Sequence, residues 1–178
     1  VVQPITVYCR AAEGLTAPLV SVEVFAGPGL PGLSIVGLVE TSIRESKDRV
    51  RAAIQSCGFK MPDRRILVRL VPADLPKKGS RYDLAIALGI LCSPERLPGP
   101  NICNHEFVGD LSLSGALRPV AGSLPVAIRA RASKHRLIVP TECAAEAGLL
   151  EGADTMTASS LLEVAAFLSG EQTLPVAT

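Results

Sequence analysis

The 178-residue sequence contains no tryptophan, and only 3% of it is aromatic. Its core is therefore built from Val, Leu, Ile and Ala, and few rings are left to stack on nucleic-acid bases. The five cysteines, at 9, 57, 92, 103 and 143, are odd in number and form neither a CxxC pair nor a Cys/His cluster. This argues against a disulfide framework and a zinc site and predicts reduced, mostly buried thiols. No stretch reaches the roughly 20 apolar residues of a membrane span. The opening VVQPITVYCR lacks a signal peptide's charged head and cleavage site, so a cytoplasmic protein with no membrane partner is expected. Net charge is only +1, and any affinity for a polyanion must come from a local patch. No GxxxxGK followed by Ser or Thr occurs, so no phosphate loop is predicted in this chain. Convincing paired carboxylates are also lacking. His105 and His135 have no Cys or acidic partner at ligand spacing and read as surface residues, and no metal site is expected.

With 48% apolar and 20% charged residues, the chain is a folded domain with a substantial core. Residues 1–170 read as one domain and 171–178 as a tail or linker. The organising stretch is 65–91, RILVRLVPADLPKKGSRYDLAIALGIL. Ile66 to Val71 alternates as a strand, and from Tyr82 a helix begins that is apolar on nearly every face. The intervening PADLPKKGSR, with two prolines and a glycine, predicts an exposed cationic loop. Asp74 is read as an acceptor for loop N–H groups and Asp83 as a cap on the helix.

Upstream, Ile5–Arg10 and Leu19–Ala26 read as strands. Residues 27–32, GPGLPG, match GxGxxG formally, but Pro28, Pro31 and the strand-like LSIVGL forbid the helix that a dinucleotide turn needs. A hairpin into a third strand, 33–38, is expected instead. Residues 39–57 form an amphipathic helix whose outer face carries pairs such as Glu40 with Arg44 and Glu45 with Arg49, read as solvated and self-paired. Downstream, 93–101 is read as a Pro/Gly-rich loop. A hairpin follows over 106–113 and 115–120, then a helix over 122–133, a strand over 137–139, a helix capped by Thr141, a strand over 153–156 and a last helix opened by Ser159 or Ser160. Strands in a meander followed by strands alternating with helices predict an α/β sandwich with a mixed sheet.

In this order, LSIVGLVETSIRESKDRVRAAIQSCGF, RILVRLVPADLPKKGSRYDLAIALGIL, FVGDLSLSGALRPVAGSLPVAI, LIVPTECAAEA and LLEVAAFL resemble the N-terminal domain of the ComM/YifB family of magnesium-chelatase-like AAA+ ATPases. The resemblance implies the fold of the Lon proteolytic domain and of the second domain of a small-subunit ribosomal protein. It also implies a role in DNA processing, including branch migration during natural transformation. ATP and Mg are expected in an ATPase domain outside this chain. The implied partners are that C-terminal ATPase domain, further copies in a ring-shaped homo-oligomer, and DNA.

Lon uses a Ser nucleophile and a Lys base. Aligning the Lon-like loop on Gly79 puts Arg81 in the nucleophile's place and Leu124 in that of the lysine. Ser80 lies one residue away with no base to activate it. A non-catalytic accessory domain is therefore expected. A divergent Lon-type serine peptidase is the alternative, and an RNA-binding module is a third reading by fold analogy. The candidate contact residues are Lys77, Lys78, Arg81, Arg64 and Arg65, all at the two sides of the central strand. They are read either as solvating charges or as contacts to DNA phosphates or a neighbouring subunit.

Overall fold

The computed structural model describes residues 4–92, 102–152 and 154–178. The predicted loop at 93–101 and Ala153 of a predicted strand lie outside them. The element order is β1 (Ile5–Arg10), β2 (Leu19–Gly27), β3 (Gly32–Val36), α1 (Glu40–Ser56), β4 (Arg65–Val71), α2 (Asp83–Cys92), β5 (His105–Phe107), β6 (Asp110–Leu111), β7 (Leu117–Arg118), α3 (Ser123–Ala132), β8 (Arg136–Pro140), α4 (Ala144–Ala147), β9 (Met156–Ala158) and α5 (Leu161–Leu168). Seven strands form one mixed sheet in the order β3-β4-β2-β1-β5-β8-β9, and β6 and β7 form a separate small ribbon. The expected mixed α/β architecture is what the chain adopts.

Alternation in β2 and β4 sends Val20, Val22, Val24, Ile66, Val68 and Leu70 to one face, where α1 and α2 pack. All ten residues of α2 are buried, as a helix apolar on every side requires. Gly89 lets α2 lie close to the sheet, since a Cβ there would meet Val24 Cγ2 at 2.4 Å. The opposite face of β1 is covered at α3. Arg10 reaches the Arg129 carbonyl and the Ser133 hydroxyl, and Tyr8 stacks on His135.

Several expectations are corrected. The GPGLPG segment is not a hairpin turn. β3 pairs in parallel with β4, which lies between it and β2. A turn sequence marks where the chain reverses but not which strand it will meet. The expected hairpin over 106–120 divides, its first strand joining the main sheet beside β1 and β8 and only β6 and β7 forming a ribbon. The helix expected after Pro140 begins as a 3-10 turn over Thr141–Cys143 that leads into α4, and Thr141 is not its cap, its hydroxyl lying 3.0 Å from that of Ser159. Ser160 caps α5, its hydroxyl accepting the Glu163 N–H at 3.1 Å. The segment expected to be a tail packs along the sheet, with Thr157 N–H donating to the Pro175 carbonyl and Ala177 N–H to that of Thr155.

Candidate functional site at the ends of the central strand

The loop between β4 and α2 forms one wall of a cleft of ≈ 430 Å³, facing residues 11–13 and 119–121. Its charges do not project as the sequence implies. Lys77 is 1% exposed, its ammonium donating to the Leu75 carbonyl at 2.6 Å and to that of Pro72. Burial lowers its pKa, against the opposing pull of Asp74. Arg81 is 7% exposed. Its Nε donates to the Arg10 carbonyl at 2.8 Å and its Nη1 to the Ala121 carbonyl at 2.9 Å.

A loop bent by prolines and by Gly79 at φ +86° leaves carbonyls without ladder partners. Buried carbonyls require donors, and long cationic side chains supply them. Of the three loop cations only Lys78 is exposed, at an end that also carries the exposed Glu13, Glu40 and Asp74.

Ser80 lines the cleft. The ammonium of Lys77, three residues earlier, is taken up by the two carbonyls just named. Leu124 lies half-buried in the first turn of α3, its backbone N–H donating to Glu146 at 2.7 Å.

Two polar clusters were missed. Asp83 stands in the first turn of α2, as expected, but does more than charge it. It is fully buried, accepting from the Ser46 hydroxyl at 2.8 Å and from Arg49 Nε at 2.6 Å, so it ties α2 to α1. Burial pushes its carboxyl up to about 7, against the pull of Arg49 and Ser46. Arg49 keeps its predicted pairing with Glu45 at 3.7 Å but turns inward from the solvated face. The second cluster corrects the histidine reading. Glu106 is fully buried and takes Arg10 in two bonds, Nε to Oε1 at 2.7 Å and Nη2 to Oε2 at 2.9 Å, while His135 Nδ1 lies 2.8 Å from Oε2. His105 is also buried, packed edge-on against Phe167. Sequence spacing gives no signal for either cluster, because the partners come from separate elements. The five cysteines are free, and burial raises the Cys9 thiol to about 12 and that of Cys92 to about 11.

Arg64 and Arg65 lie at the other end of β4. Seven residues of strand separate Arg65 from the cleft loop, on the order of 20 Å. The five candidate cations therefore do not form one patch. Arg64 and Arg65 are exposed and share their end with the exposed Arg51 and Lys60, against one acid, Asp63. Beside them a second depression of ≈ 350 Å³ is lined by Pro31, Arg51, Gln55 and Met61.

Comparison with known proteins agrees with this architecture. The family described as subunit ChlI of Mg-chelatase matches residues 22–143, from β2 to just beyond β8. The chain is 46% identical to the competence protein ComM of Haemophilus influenzae over 172 residues, 97% of this chain and 34% of that protein. It is 46% identical to the uncharacterized protein YifB of Salmonella typhimurium and 45% identical to that of Escherichia coli, each over 168 residues, 94% of this chain and 33% of theirs. The chain thus spans about a third of the length of the curated relatives it matches. With two thirds of its own length inside the matched region, the chain belongs to the family of subunit ChlI of Mg-chelatase.

Proposed function

We propose that the chain is a non-catalytic N-terminal accessory domain of a magnesium-chelatase-like AAA+ ATPase, supporting DNA processing by substrate contact or by subunit assembly in a ring. The observation that carries the reading is the state of the cleft. Arg81, in the nucleophile's place, is held by two backbone carbonyls, and Leu124, in the base's place, has no group to take a proton. The DNA-processing part is supported by the likeness to a relative named as a competence protein, and a cytoplasmic place is part of the same proposal.

ATP does not fit the residues present. The one glycine-rich stretch, 27–32, leads into β3 and not into a helix whose N–H groups would meet phosphates. Among the described residues no group of three or more His, Cys, Asp or Glu stands together to hold a metal. The proposal assigns ATP and Mg to an ATPase domain of the longer protein, in keeping with relatives of which this chain spans about a third.

The test compares the full-length ATPase with a form lacking residues 1–170, reading ATP hydrolysis, ring formation and DNA engagement separately. Hydrolysis should persist while ring formation or DNA engagement is lost, and retention of all three overturns the reading. The peptidase alternative rests on Ser80 lining a cleft of peptide-side-chain size. A fluorophosphonate probe that labels the chain, but not a Ser80→Ala variant, would establish it.

A further inference from the structure

One face of the sheet is open. α1 and α2 cover the inner side, and the outer side is closed at β1 by α3, yet of the outward residues of β2, β4 and β3, Phe25, Arg65, Leu67, Arg69 and Val36 are exposed and Glu23 and Ser34 half-buried. Their cross-strand register arranges them in rows. Gly27, Arg65 and Gly32 form the first, Phe25, Leu67 and Ser34 the second, and Glu23, Arg69 and Val36 the third. Rows two residues apart along a strand are about 7 Å apart.

The two glycines shape the first row. Gly27 lies beneath the Phe25 ring, where a Cβ would come within 2.7 Å of it, and a Cβ at Gly32 would come within 3.1 Å of an Arg65 guanidinium nitrogen. The ring thus lies over β2 and the guanidinium leans over β3, on the two sides of β4. Phe25 is 37% exposed and Leu67 43%. Arg65 makes one exposed bond, to Ser34 at 3.2 Å, and Arg69 a loose contact to Glu23 at 4.0 Å.

We infer that this open face of β2, β4 and β3 binds single-stranded nucleic acid, with Arg64, Arg65 and Arg69 at phosphates and Phe25 stacked on a base. The inference rests on the substrate-contact form of the proposed function. A row holding one ring and one aliphatic side chain, Phe25 and Leu67, between two rows that each bear a guanidinium suits a ligand in which anions alternate with flat apolar rings. A duplex hides its base faces. A second copy docked face to face would bring arginines against arginines with Glu23 as the face's own counter-charge. Arg64, just before β4, adds a further exposed cation at the end of the strand.

The test titrates a labelled oligo-dT, and its duplex with oligo-dA, with the 178-residue chain by fluorescence anisotropy over a range of salt. Oligo-dT should bind more tightly than the duplex. Replacing Arg64 and Arg65 by Ala together should reduce the slope of log K against log salt by about 0.7 for each phosphate that is no longer neutralised. Phe25→Leu should weaken binding roughly tenfold at fixed salt and leave the slope unchanged. Lys78→Ala, at the far end of β4, should change neither. Urea midpoints matching the parent show that the variants keep their fold, and photocrosslinking should place oligo-dT on the peptide containing Phe25.

Binding that ignores Phe25, Arg64 and Arg65 but is lost in Lys78→Ala overturns this surface while leaving substrate contact intact. A chain that binds no oligonucleotide overturns the inference outright. Whether the accessory role falls with it is then decided by the deletion of residues 1–170, whose ring formation is read independently of DNA. Altered sedimentation of the full-length protein carrying Phe25→Leu, with oligo-dT affinity unchanged, assigns the face to a neighbouring subunit and likewise overturns it.

Discussion

The two ends of β4 carry cations of opposite character. At its carboxyl end Arg10, Lys77 and Arg81 all turn inward, to a buried glutamate or to loop carbonyls. At its amino end Arg64 and Arg65 stay in solvent. In open α/β sheets ligands generally lie beyond the carboxyl ends of the strands, and the cleft here is in that place. The exposed charges of its lining nevertheless balance, Glu13 against Lys78. A cation's position in sequence therefore does not tell whether it serves the fold or a partner. That depends on whether the backbone around it has already supplied its own donors.

Substitutions can separate the two kinds. The largest effect is expected for Glu106→Gln, which leaves Arg10 buried beside a neutral amide and should cost about 3–5 kcal/mol in urea unfolding. Arg81→Ala should follow, at about 1–3 kcal/mol, because it strips the donor from the Arg10 carbonyl. A pH effect comes next. With its folded carboxyl raised to about 7 from an ordinary 3.8, Asp83 holds in the fold a proton that the unfolded chain has already released. Stability should therefore fall as pH rises between those values and level off above, and Asp83→Asn should flatten that decline. The smallest effect is expected for Arg64→Ala and Arg65→Ala, within about 0.5 kcal/mol of the parent. A large loss of stability in either would erase the distinction between the ends.

Much of this was legible in the sequence. The alternation of β2 and β4 and the uniformly apolar α2 announced themselves by period, and α1 by its stripe of Ile43, Val50, Ala53 and Ile54. Strand partners were not legible, since β3 could follow a turn and still pair with a strand formed later. Side-chain direction in the cleft loop was also hidden. Lys77 turns inward to carbonyls of its own folded loop, those of Pro72 and Leu75, and Arg81 to carbonyls that Arg10 and Ala121 bring from elsewhere in the chain. The same holds for pairs assembled from afar. Asp83 meets Arg49 across 34 residues and Arg10 meets Glu106 across 96. The rows that set Phe25 beside Leu67 and Arg65 beside Gly32 likewise needed the strand register, which the sequence does not carry.

The packing of residues 175–177 along β9 bears on self-association. A sheet has two free rims, and each offers unpaired N–H and C=O groups as a template for another chain. Here the β9 rim is stitched over by the chain itself, through the Thr157 to Pro175 and Ala177 to Thr155 bonds. The β3 rim is left as a strand of five residues bounded by Pro31 and Gly37, too short to recruit much. Removing residues 171–178 would bare the first rim, and light scattering should then show aggregation growing with concentration, at a surface far from either cluster of arginines.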